Sequence, residues 1–215
     1  MNIVVSGTAR GIGRAIAQRY LAAGDRVYGL DVAPGTIEHT NYVHFLCDVR
    51  SDAFPAVPEA AVVVSNAGTL EEADAIEVNL LGAMRFAEHY MESPVLRSVL
   101  FIASASARNG AEFPRYVASK AGLVGYMKNA ALALAKRGVT CNSISPGGVI
   151  TESNRHILES EALYDAVRAE TLLGKWAQPE EIAELAWFLT HVNRSVTGED
   201  ILIDNGEMLK SNFIW

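Results

Sequence analysis

Seven short runs rich in Val, Ile and Leu alternate with longer stretches of helical periodicity along this chain of 215 residues. Most of the runs are continuously apolar, which is typical of strands buried on both faces of a sheet. They predict strands at residues 2–6, 26–30, 42–46, 61–65, 99–104, 139–144 and 201–203. The longer stretches predict helices at residues 11–23, 72–91, 113–137, within 152–173, and at 179–191. Repeated strand–helix–strand units predict an α/β fold, a doubly wound parallel sheet of about seven strands with helices on both faces.

The composition limits the number of domains and the classes of partner. Half of the residues are apolar and a fifth are charged, so we expect one sizeable core and a single domain over residues 1–215. A formal net charge of -7 without a lysine or arginine run argues against binding to nucleic acid. No apolar run approaches the roughly 20 residues of a membrane span, and the chain opens on a strand pattern rather than a targeting leader. We therefore expect a cytoplasmic protein with no membrane association.

The two cysteines, Cys47 and Cys141, each lie inside an apolar run. Such isolated thiols are typical of small buried side chains in a reducing compartment rather than of a disulfide framework. They also offer too few ligands for a metal site, so we expect no bound metal.

A glycine-rich turn, SGTARGIG, joins the first predicted strand to the first predicted helix. Gly7, Gly11 and Gly13 allow the backbone to turn sharply and to approach a pyrophosphate, whose charge would meet the free N–H groups of the helix N-terminus. A tight turn without any ligand would use the same glycines. Asp31 favours the ligand, because it follows the second strand about 20 residues further on, where a carboxylate can bind a ribose diol. A turn or capping aspartate is the alternative there.

The glycine spacing resembles the TGxxxGxG motif of the short-chain dehydrogenase/reductase family, and further resemblances follow in family order over essentially the whole chain. They are CDV at 47–49, SNAG at 65–68, VNLLG around Asn79, FIAS ending at Ser104, YVASK at 116–120, NSISPGGVIT at 142–151, GKWAQPEEIAELAWFLT at 174–190 and VTGEDILIDNG at 196–206. The resemblance implies a Rossmann-like dinucleotide-binding domain. It also implies an NAD- or NADP-dependent oxidoreductase that transfers a hydride between nicotinamide and a carbonyl or secondary alcohol.

The resemblance assigns catalytic roles to Asn79, Ser104, Tyr116 and Lys120. Tyr116 would be the general acid/base, Ser104 would orient the reacting oxygen, and Lys120 would bind the nicotinamide ribose. Asn79 would hold a water of the proton relay. Tyr116 and Lys120 are four residues apart on a predicted helix and so share a face, where an ammonium favours the phenolate that a general base needs. Taken singly, these residues also fit a surface pair on a helix, a turn serine and a satisfied buried amide.

The resemblance further implies a set of cofactor-binding residues, which follow the carboxyl ends of the predicted strands. They are Gly7, Ala9, Arg10, Gly11, Ile12, Gly13, Asp31, Asp48, Val49, Asn66, Ala67, Gly68, Tyr116, Lys120, Pro146, Gly147, Val149 and Thr151. Among them, Asp48 would contact the adenine. Thr151 would bind the carboxamide, although a threonine there is also suited to cap the next helix.

Asp31 and Arg10 point to different cofactors. A carboxylate accepts hydrogen bonds from both ribose hydroxyls of NAD but repels the 2′-phosphate of NADP, whereas a basic residue at the position of Arg10 is typical of relatives that use NADP. At about 4 Å and an effective dielectric near 20 this repulsion is about 4 kcal/mol. An exposed arginine contact contributes only about 0 to 1 kcal/mol. We therefore predict a preference for NAD, with NADP as the alternative through Arg10.

The spacing between the catalytic serine and tyrosine departs from the family pattern. Ser104 and Tyr116 are one residue closer in sequence than the family leads us to expect, which leaves Ser106 as an alternative catalytic serine. The intervals 48–66 and 66–79 are also short, which predicts trimmed helices on one face.

A dinucleotide-sensing regulatory protein is the alternative function. It would keep the glycine turn and Asp31, but it would not need Ser104, Tyr116 and Lys120 together.

Residues 152–176 take the place of the family's substrate lid. Arg155, His156 and Arg168 in this segment suit an acidic substrate or, equally, a solvated helix face, and the sequence does not choose among small carbonyl or alcohol substrates. The helix predicted at 113–137 carries a face of small residues that suits a homodimer or homotetramer, unless it packs on the sheet instead. That face consists of Ala118, Ala121, Gly122, Gly125, Ala130 and Ala133.

Overall fold

The computed structural model describes residues 1–51, 53–111 and 113–209. Seven parallel strands form a sheet in the order β3-β2-β1-β4-β5-β6-β7. They are β1 (Asn2–Ser6), β2 (Arg26–Asp31), β3 (Tyr42–Leu46), β4 (Ala60–Ser65), β5 (Ser98–Ile102), β6 (Thr140–Pro146) and β7 (Asp200–Ile203). The strand order reverses between β1 and β4, and such a switch point is where open α/β sheets bind ligands. The predicted doubly wound, Rossmann-like α/β fold is confirmed, while the last six residues of the predicted domain lie outside the described ranges.

Seven α-helices connect or flank the strands within the described residues. They are α1 (Gly11–Ala22), α2 (Ala83–Met91), α3 (Ser106–Asn109), α4 (Pro114–Leu134), α5 (Arg155–Leu158), α6 (Glu161–Ala169) and α7 (Pro179–Trp187). A π-helical turn, Glu77–Gly82, precedes α2, and another, Phe188–Val192, follows α7. Short 3-10 turns lie at Ala135–Arg137, Glu152–Asn154 and Glu207–Leu209.

The differences from the predicted boundaries are concentrated around the residues predicted to be catalytic. The helix predicted from residue 72 begins five residues later, at the π-helical turn. Strand β5 ends at Ile102, so Ser104 follows the strand instead of ending it. The short helix α3 directly after Ser104 was not predicted, because four residues are too few to show helical periodicity.

The core lies on both faces of the sheet. Neighbouring residues of β1 point to opposite sides, so Ile3 and Val5 join one cluster of buried side chains while Val4 joins the other. Helices α1 and α7 contribute to the first cluster, and α2 and α4 contribute to the second. Burial on both sides explains why the central strands β1, β4 and β5 have continuously apolar sequences.

A loop covers the sheet where the sequence is shortened after β3. Residues 53–59 form no helix, as the two prolines there predict. Instead, the ring of Phe54 packs edge-to-face on Phe86 of α2 at 5.8 Å. The Tyr90 hydroxyl donates a hydrogen bond to the Pro55 carbonyl at 2.7 Å. These contacts close the core on this side without an additional helix.

The small residues of α4 do not share one environment. Ala118, Ala121, Gly125 and Ala133 are exposed, whereas Ala130 is buried in the core. A Cβ added to Gly122 would lie 2.9 Å from the Leu80 side chain, so this glycine packs on the preceding π-helical turn. Part of the predicted face therefore remains accessible, and part packs inside the chain.

A buried hydrogen-bonded chain joins α1 to the turn after α7. The Tyr20 and Thr190 hydroxyls are 2.9 Å apart, the Thr190 hydroxyl is 2.9 Å from His191 Nδ1, and His191 Nε2 is 2.8 Å from a carboxylate oxygen of Asp25. Burial lowers the pKa of His191, against the opposing effect of Asp25. The imidazole of His191 is therefore predominantly neutral at neutral pH.

Both cysteines are free thiols, but only Cys141 is buried. Cys47 is partly exposed, so its predicted burial was wrong, because β3 is an edge strand with one side open. No helix in the described ranges is long and apolar enough to cross a membrane.

Candidate active site

Two residues at the ends of β1 and β4 fix the glycine turn. The Ser6 hydroxyl oxygen accepts hydrogen bonds from the backbone N–H groups of Asn66 and Ala67 at 3.0 and 3.1 Å. The Asn66 side-chain amide in turn donates to the carbonyls of Ser6 and Gly7, both at 3.1 Å. The SNAG segment therefore supports the backbone of the turn, and the Ser6 side chain links the end of β1 to the residues that follow β4.

The turn requires glycine at both of its ends. Gly7 has a φ of 76°, in the left-handed region that favours glycine. A Cβ at Gly13 would lie 2.0 Å from the Gly7 carbonyl oxygen, which is an impossible contact. Ile12 packs against the buried cluster beneath the turn. Helix α1 consequently begins directly at the crevice, and its N-cap residue Arg10 provides no side-chain cap.

Glu152 lies against the start of α1, a contact that the sequence analysis missed. Its carboxylate accepts a hydrogen bond from Arg14 at 2.9 Å, and a Cβ at Gly11 would lie 3.8 Å from its other oxygen. The pKa of this carboxyl lies below its usual range despite partial burial. The largest cause is the backbone N–H of Glu152 itself, followed by the Arg14 guanidinium and the Gly11 N–H. A carboxylate therefore occupies the positive end of α1, where the sequence predicts a pyrophosphate.

Asp31 binds the glycine turn with one oxygen and the following loop with the other. Its Oδ2 accepts a hydrogen bond from the Ala9 N–H, and its Oδ1 accepts one from the Ala33 N–H, both at 2.9 Å. The Thr36 hydroxyl donates to the Ala9 carbonyl at 2.7 Å, which holds the same loop over the turn. The Arg10 side chain is exposed and forms no hydrogen bond or ion pair with the described residues.

The residues after β3 have contacts of their own. Arg50 binds the Asp48 carboxylate through Nη2 at 2.7 Å and Nε at 3.0 Å, and this hydrogen bonding lowers the pKa of Asp48. Val49 is buried against Gly82, where a Cβ would lie 2.8 Å from a Val49 methyl group. The Cys47 N–H donates to the Asp31 carbonyl at 2.9 Å, which joins this segment to the end of β2.

Lys120 is buried in α4 with no acidic partner among the described residues. Its Nζ donates to the Ile102 carbonyl at 2.9 Å and lies 5.9 Å from the centre of the Tyr116 ring. A Cβ at Gly68 would be 3.4 Å from Nζ, so the SNAG glycine leaves room for the ammonium. Burial lowers the pKa of Lys120 to about 8. Holding such a lysine protonated at neutral pH costs about 3 kcal/mol, and a cost of this kind is typical of functional sites.

Asn79 connects the loop after β4 to α4. Its buried side-chain amide donates to the Thr69 carbonyl at 2.9 Å and to the Ser119 hydroxyl at 3.1 Å, and its oxygen accepts from the Thr69 N–H at 2.7 Å. The Ser119 hydroxyl donates to the Tyr116 carbonyl at 2.7 Å. Both amide hydrogens are thereby used, whereas the amide oxygen accepts one of the two hydrogen bonds that it can accept.

The two candidate serines are distinguished by the direction of their hydrogen bonds. Ser104 Oγ accepts from both the N–H and the hydroxyl of Ser106, at 3.2 and 2.8 Å. The Ser106 proton is thereby used, and the Ser104 proton is left for another acceptor. Arg108 fixes this short loop by donating from Nε to the Asp200 carboxylate at 2.9 Å.

The PGG segment at the end of β6 packs tightly against its neighbours. The Pro146 carbonyl accepts from the Ala105 N–H at 2.8 Å, and the Gly147 N–H donates to the Ile203 carbonyl at 3.0 Å. Val149 is buried and pairs with Ala177. Thr151 takes the N-cap position of the following 3-10 turn without a side-chain cap hydrogen bond, so its hydroxyl is not used for capping.

Comparison with known proteins identifies the family. The family model described as Enoyl-(Acyl carrier protein) reductase matches residues 57–207. L-rhamnose 1-dehydrogenase (NAD(P)(+)) of Sphingomonas sp. (strain SKA58) is 30% identical, over 95% of this chain and 94% of that protein. The 3-oxoacyl-(acyl-carrier-protein) reductase MabA of Mycobacterium tuberculosis is 31% identical, over 95% of this chain and 92% of the other. The chain belongs to the short-chain dehydrogenase/reductase family. It is thus an NAD(P)-dependent oxidoreductase.

A solved structure shows the same architecture over the full length of this short-chain dehydrogenase/reductase. The aldohexose dehydrogenase AldT of Thermoplasma acidophilum, in its ligand-free form, superposes with a TM-score of 0.87 at 25% identity. The superposition covers 100% of this chain and 96% of the other. The shortened segments therefore leave the overall fold of the family intact.

The three basic residues singled out in the segment 152–176, Arg155, His156 and Arg168, lie on the short helices α5 and α6. Arg155 is 3.6 Å from Glu159, and Arg168 forms an ion pair with Asp165 one turn away. His156 is exposed. These contacts are typical of a solvated helix face and single out no substrate-binding cation.

Proposed function

We propose that this enzyme transfers a hydride between a nicotinamide cofactor and a small carbonyl or secondary alcohol, with Tyr116 as the general acid/base. The observation that carries the proposal is the buried Lys120 ammonium beside the Tyr116 ring. A buried cation four residues from a tyrosine on one helix favours the phenolate, and no ion-pair partner within the described ranges accounts for its burial. Its burial lowers the pKa of Lys120 to about 8, which still leaves the ammonium mostly charged at neutral pH.

The crevice between β1 and β4 fits a dinucleotide. The turn from Gly7 to Gly13 has no room for a Cβ at its ends and presents backbone N–H groups at the start of α1. Asp31 lies beside Ala9 of the same turn and would bind the adenosine ribose. The remaining residues of the proposed cofactor site are Arg10, Gly11, Ile12, Asp48, Val49, Asn66, Ala67, Gly68, Pro146, Gly147, Val149 and Thr151, with Tyr116 and Lys120 at the nicotinamide ribose. The bound nicotinamide supplies or accepts the hydride.

The proton is handled by the residues of this chain. The Tyr116 hydroxyl donates a proton to the substrate oxygen in reduction, and the Tyr116 phenolate accepts the proton of the alcohol in oxidation. Ser104 donates a hydrogen bond to the same oxygen. Its Oγ already accepts two hydrogen bonds from Ser106, so its own proton is left to donate. Asn79 positions the catalytic helix through Ser119.

We further propose that the cofactor is NAD and that the protein is a homodimer or homotetramer in the cytoplasm. The negative charge of Asp31 supports NAD over NADP. The exposed part of α4, which includes Ala118, Ala121, Gly125 and the 79% exposed Leu132, supports self-association through helix packing. Light scattering at micromolar concentration tests the oligomer, and a monomer would contradict it.

Turnover tests the proposed reaction. Purified protein is incubated with NAD(H) or NADP(H) and a panel of alcohols, ketones, aldoses and 3-oxoacyl thioesters, while nicotinamide absorbance is followed. We expect cofactor-dependent turnover of at least one class. Cofactor binding without turnover of any of them would instead support the dinucleotide-sensing regulator.

A further inference from the structure

The N-cap residue of the catalytic helix α4 does not cap it with its side chain. This residue is Phe113, and the next, Pro114, has no N–H to satisfy. The first intrahelical bond of the helix runs from the Val117 N–H to the Phe113 carbonyl at 2.9 Å. Two N–H groups of the first turn, those of Arg115 and Tyr116, therefore need an acceptor from elsewhere.

Both of these groups donate to Glu72. The Arg115 N–H is 3.1 Å from Oε1 and 3.2 Å from Oε2, and the Tyr116 N–H is 3.1 Å from Oε1. Glu72 lies more than 40 positions away in sequence, in the segment between Asn66 and Asn79 that is short for the family. One distant carboxylate thus satisfies both of these N–H groups of the catalytic helix.

The position of Glu72 depends on the Asn79 contacts. The Thr69 N–H donates to the Asn79 amide oxygen at 2.7 Å, and the Thr69 hydroxyl accepts from the Glu71 N–H at 3.0 Å. These bonds set the turn from which Glu72 reaches α4. The same amide also contacts Ser119 of α4, so the loop and the helix are joined at two successive turns.

We propose that Glu72 is a positioning residue for Tyr116. Charge-assisted hydrogen bonds from a carboxylate to helix N-terminal N–H groups are strong, and the negative charge lies at the positive end of the helix. Tyr116 is the third residue of α4, within the turn that frays first when its N–H groups lose their acceptor. Glu72 accepts its hydrogen bond from the backbone N–H of Tyr116, so it holds the tyrosine in place without taking part in proton transfer. This inference rests on the proposed role of Tyr116.

Three single variants separate this role from a general loss of stability. Glu72→Ala removes the acceptor, and we expect kcat to fall about tenfold, as for the loss of a strong helix cap, while KM and the Kd for NADH change little. Glu72→Gln keeps an acceptor oxygen and should restore most of kcat. Glu71→Ala, the matched control, removes the neighbouring carboxylate and should leave kcat unchanged. Wild-type kcat in Glu72→Ala, or an equal loss in Glu71→Ala, would overturn the proposal.

A local replacement cap provides a rescue. In Phe113→Asp combined with Glu72→Ala, the new N-cap carboxylate can accept from the Tyr116 N–H, and kcat should recover relative to Glu72→Ala alone. Hydrogen exchange of the Arg115 and Tyr116 amides should be faster in Glu72→Ala and unchanged in Glu71→Ala. Exchange does not depend on turnover, so it still tests the cap if the wild type proves inactive. Faster exchange without any loss of kcat in an active enzyme would refute the positioning role.

Discussion

Asp31 accepts one hydrogen bond from the glycine turn and one from the next loop, and so lies beside the turn at which we propose that the adenosine ribose binds. Replacing Asp31 with asparagine removes the charge but keeps one acceptor oxygen, which can retain the 2.9 Å bond from the Ala9 N–H. We expect the bond from Ala33 to be lost, at a cost of about 1 kcal/mol in stability. The variant therefore tests the charge more cleanly than alanine would.

The charge should dominate cofactor choice. A unit negative charge about 4 Å from a unit charge on the 2′-phosphate of NADP is opposed by about 4 kcal/mol at an effective dielectric near 20. Asp31 is partly exposed, so screening reduces this value. Half of it still corresponds to about a 30-fold preference for NAD. The exposed Arg10 offers NADP a contact that contributes about 0 to 1 kcal/mol, which is too little to reverse the preference.

The assay compares kcat/KM for NADH and NADPH in the wild type, Asp31→Asn and Arg10→Ala. We expect the wild type to favour NADH, Asp31→Asn to lose or invert the preference because Arg10 is no longer opposed, and Arg10→Ala to strengthen it. Thermal unfolding of each variant verifies that the fold is retained. A wild type that prefers NADPH, or an unchanged ratio in Asp31→Asn, would refute the electrostatic reasoning.

Three further predictions concern the contact of Glu152 with the start of α1, the buried His191, and the two serines Ser104 and Ser106. Glu152→Gln should tighten cofactor binding up to about fivefold in a fluorescence titration, because the carboxylate competes with the pyrophosphate at the start of α1; weaker binding would contradict this. Burial keeps the pKa of His191 below its unfolded value, so the unfolded state takes up the proton first, and the free energy of unfolding should fall as the pH drops through about 6.5. In His191→Gln, urea unfolding at pH values of about 7.5 and 5.5 should show a smaller fall, and an equal fall would exclude this histidine as the cause. Ser104→Ala should reduce kcat about 100-fold and Ser106→Ala clearly less, whereas the reverse order would make Ser106 the catalytic serine.

The strands and the glycine turn could be predicted because their signals are local. Burial on both faces makes the central strands β1, β4 and β5 continuous apolar runs, and the impossible Cβ at Gly13 explains a glycine that stands out in the sequence. The boundaries around Ser104 were less accurate, because the end of β5 and the four-residue helix α3 depend on contacts such as that of Arg108 with Asp200.

The supporting contacts of the site could not be predicted. Glu72 and Glu152 each bind the start of a helix that is distant in sequence. Neither has a local pattern that distinguishes it from the many other acidic residues of the chain. Asn79 was singled out from the family resemblance, but its hydrogen bonds to Thr69 and Ser119 became visible only in three dimensions.

Turnover of Tyr116→Phe, measured beside its cofactor affinity, tests the central claim most directly. The phenylalanine ring keeps the packing near Lys120, whereas the transferable proton is removed. We predict that the Kd for the cofactor stays within about twofold, and that kcat falls by about 10²- to 10⁴-fold, the range expected for a lost general acid/base. Unchanged turnover would show that another group transfers the proton, and would contradict the mechanism proposed for this enzyme.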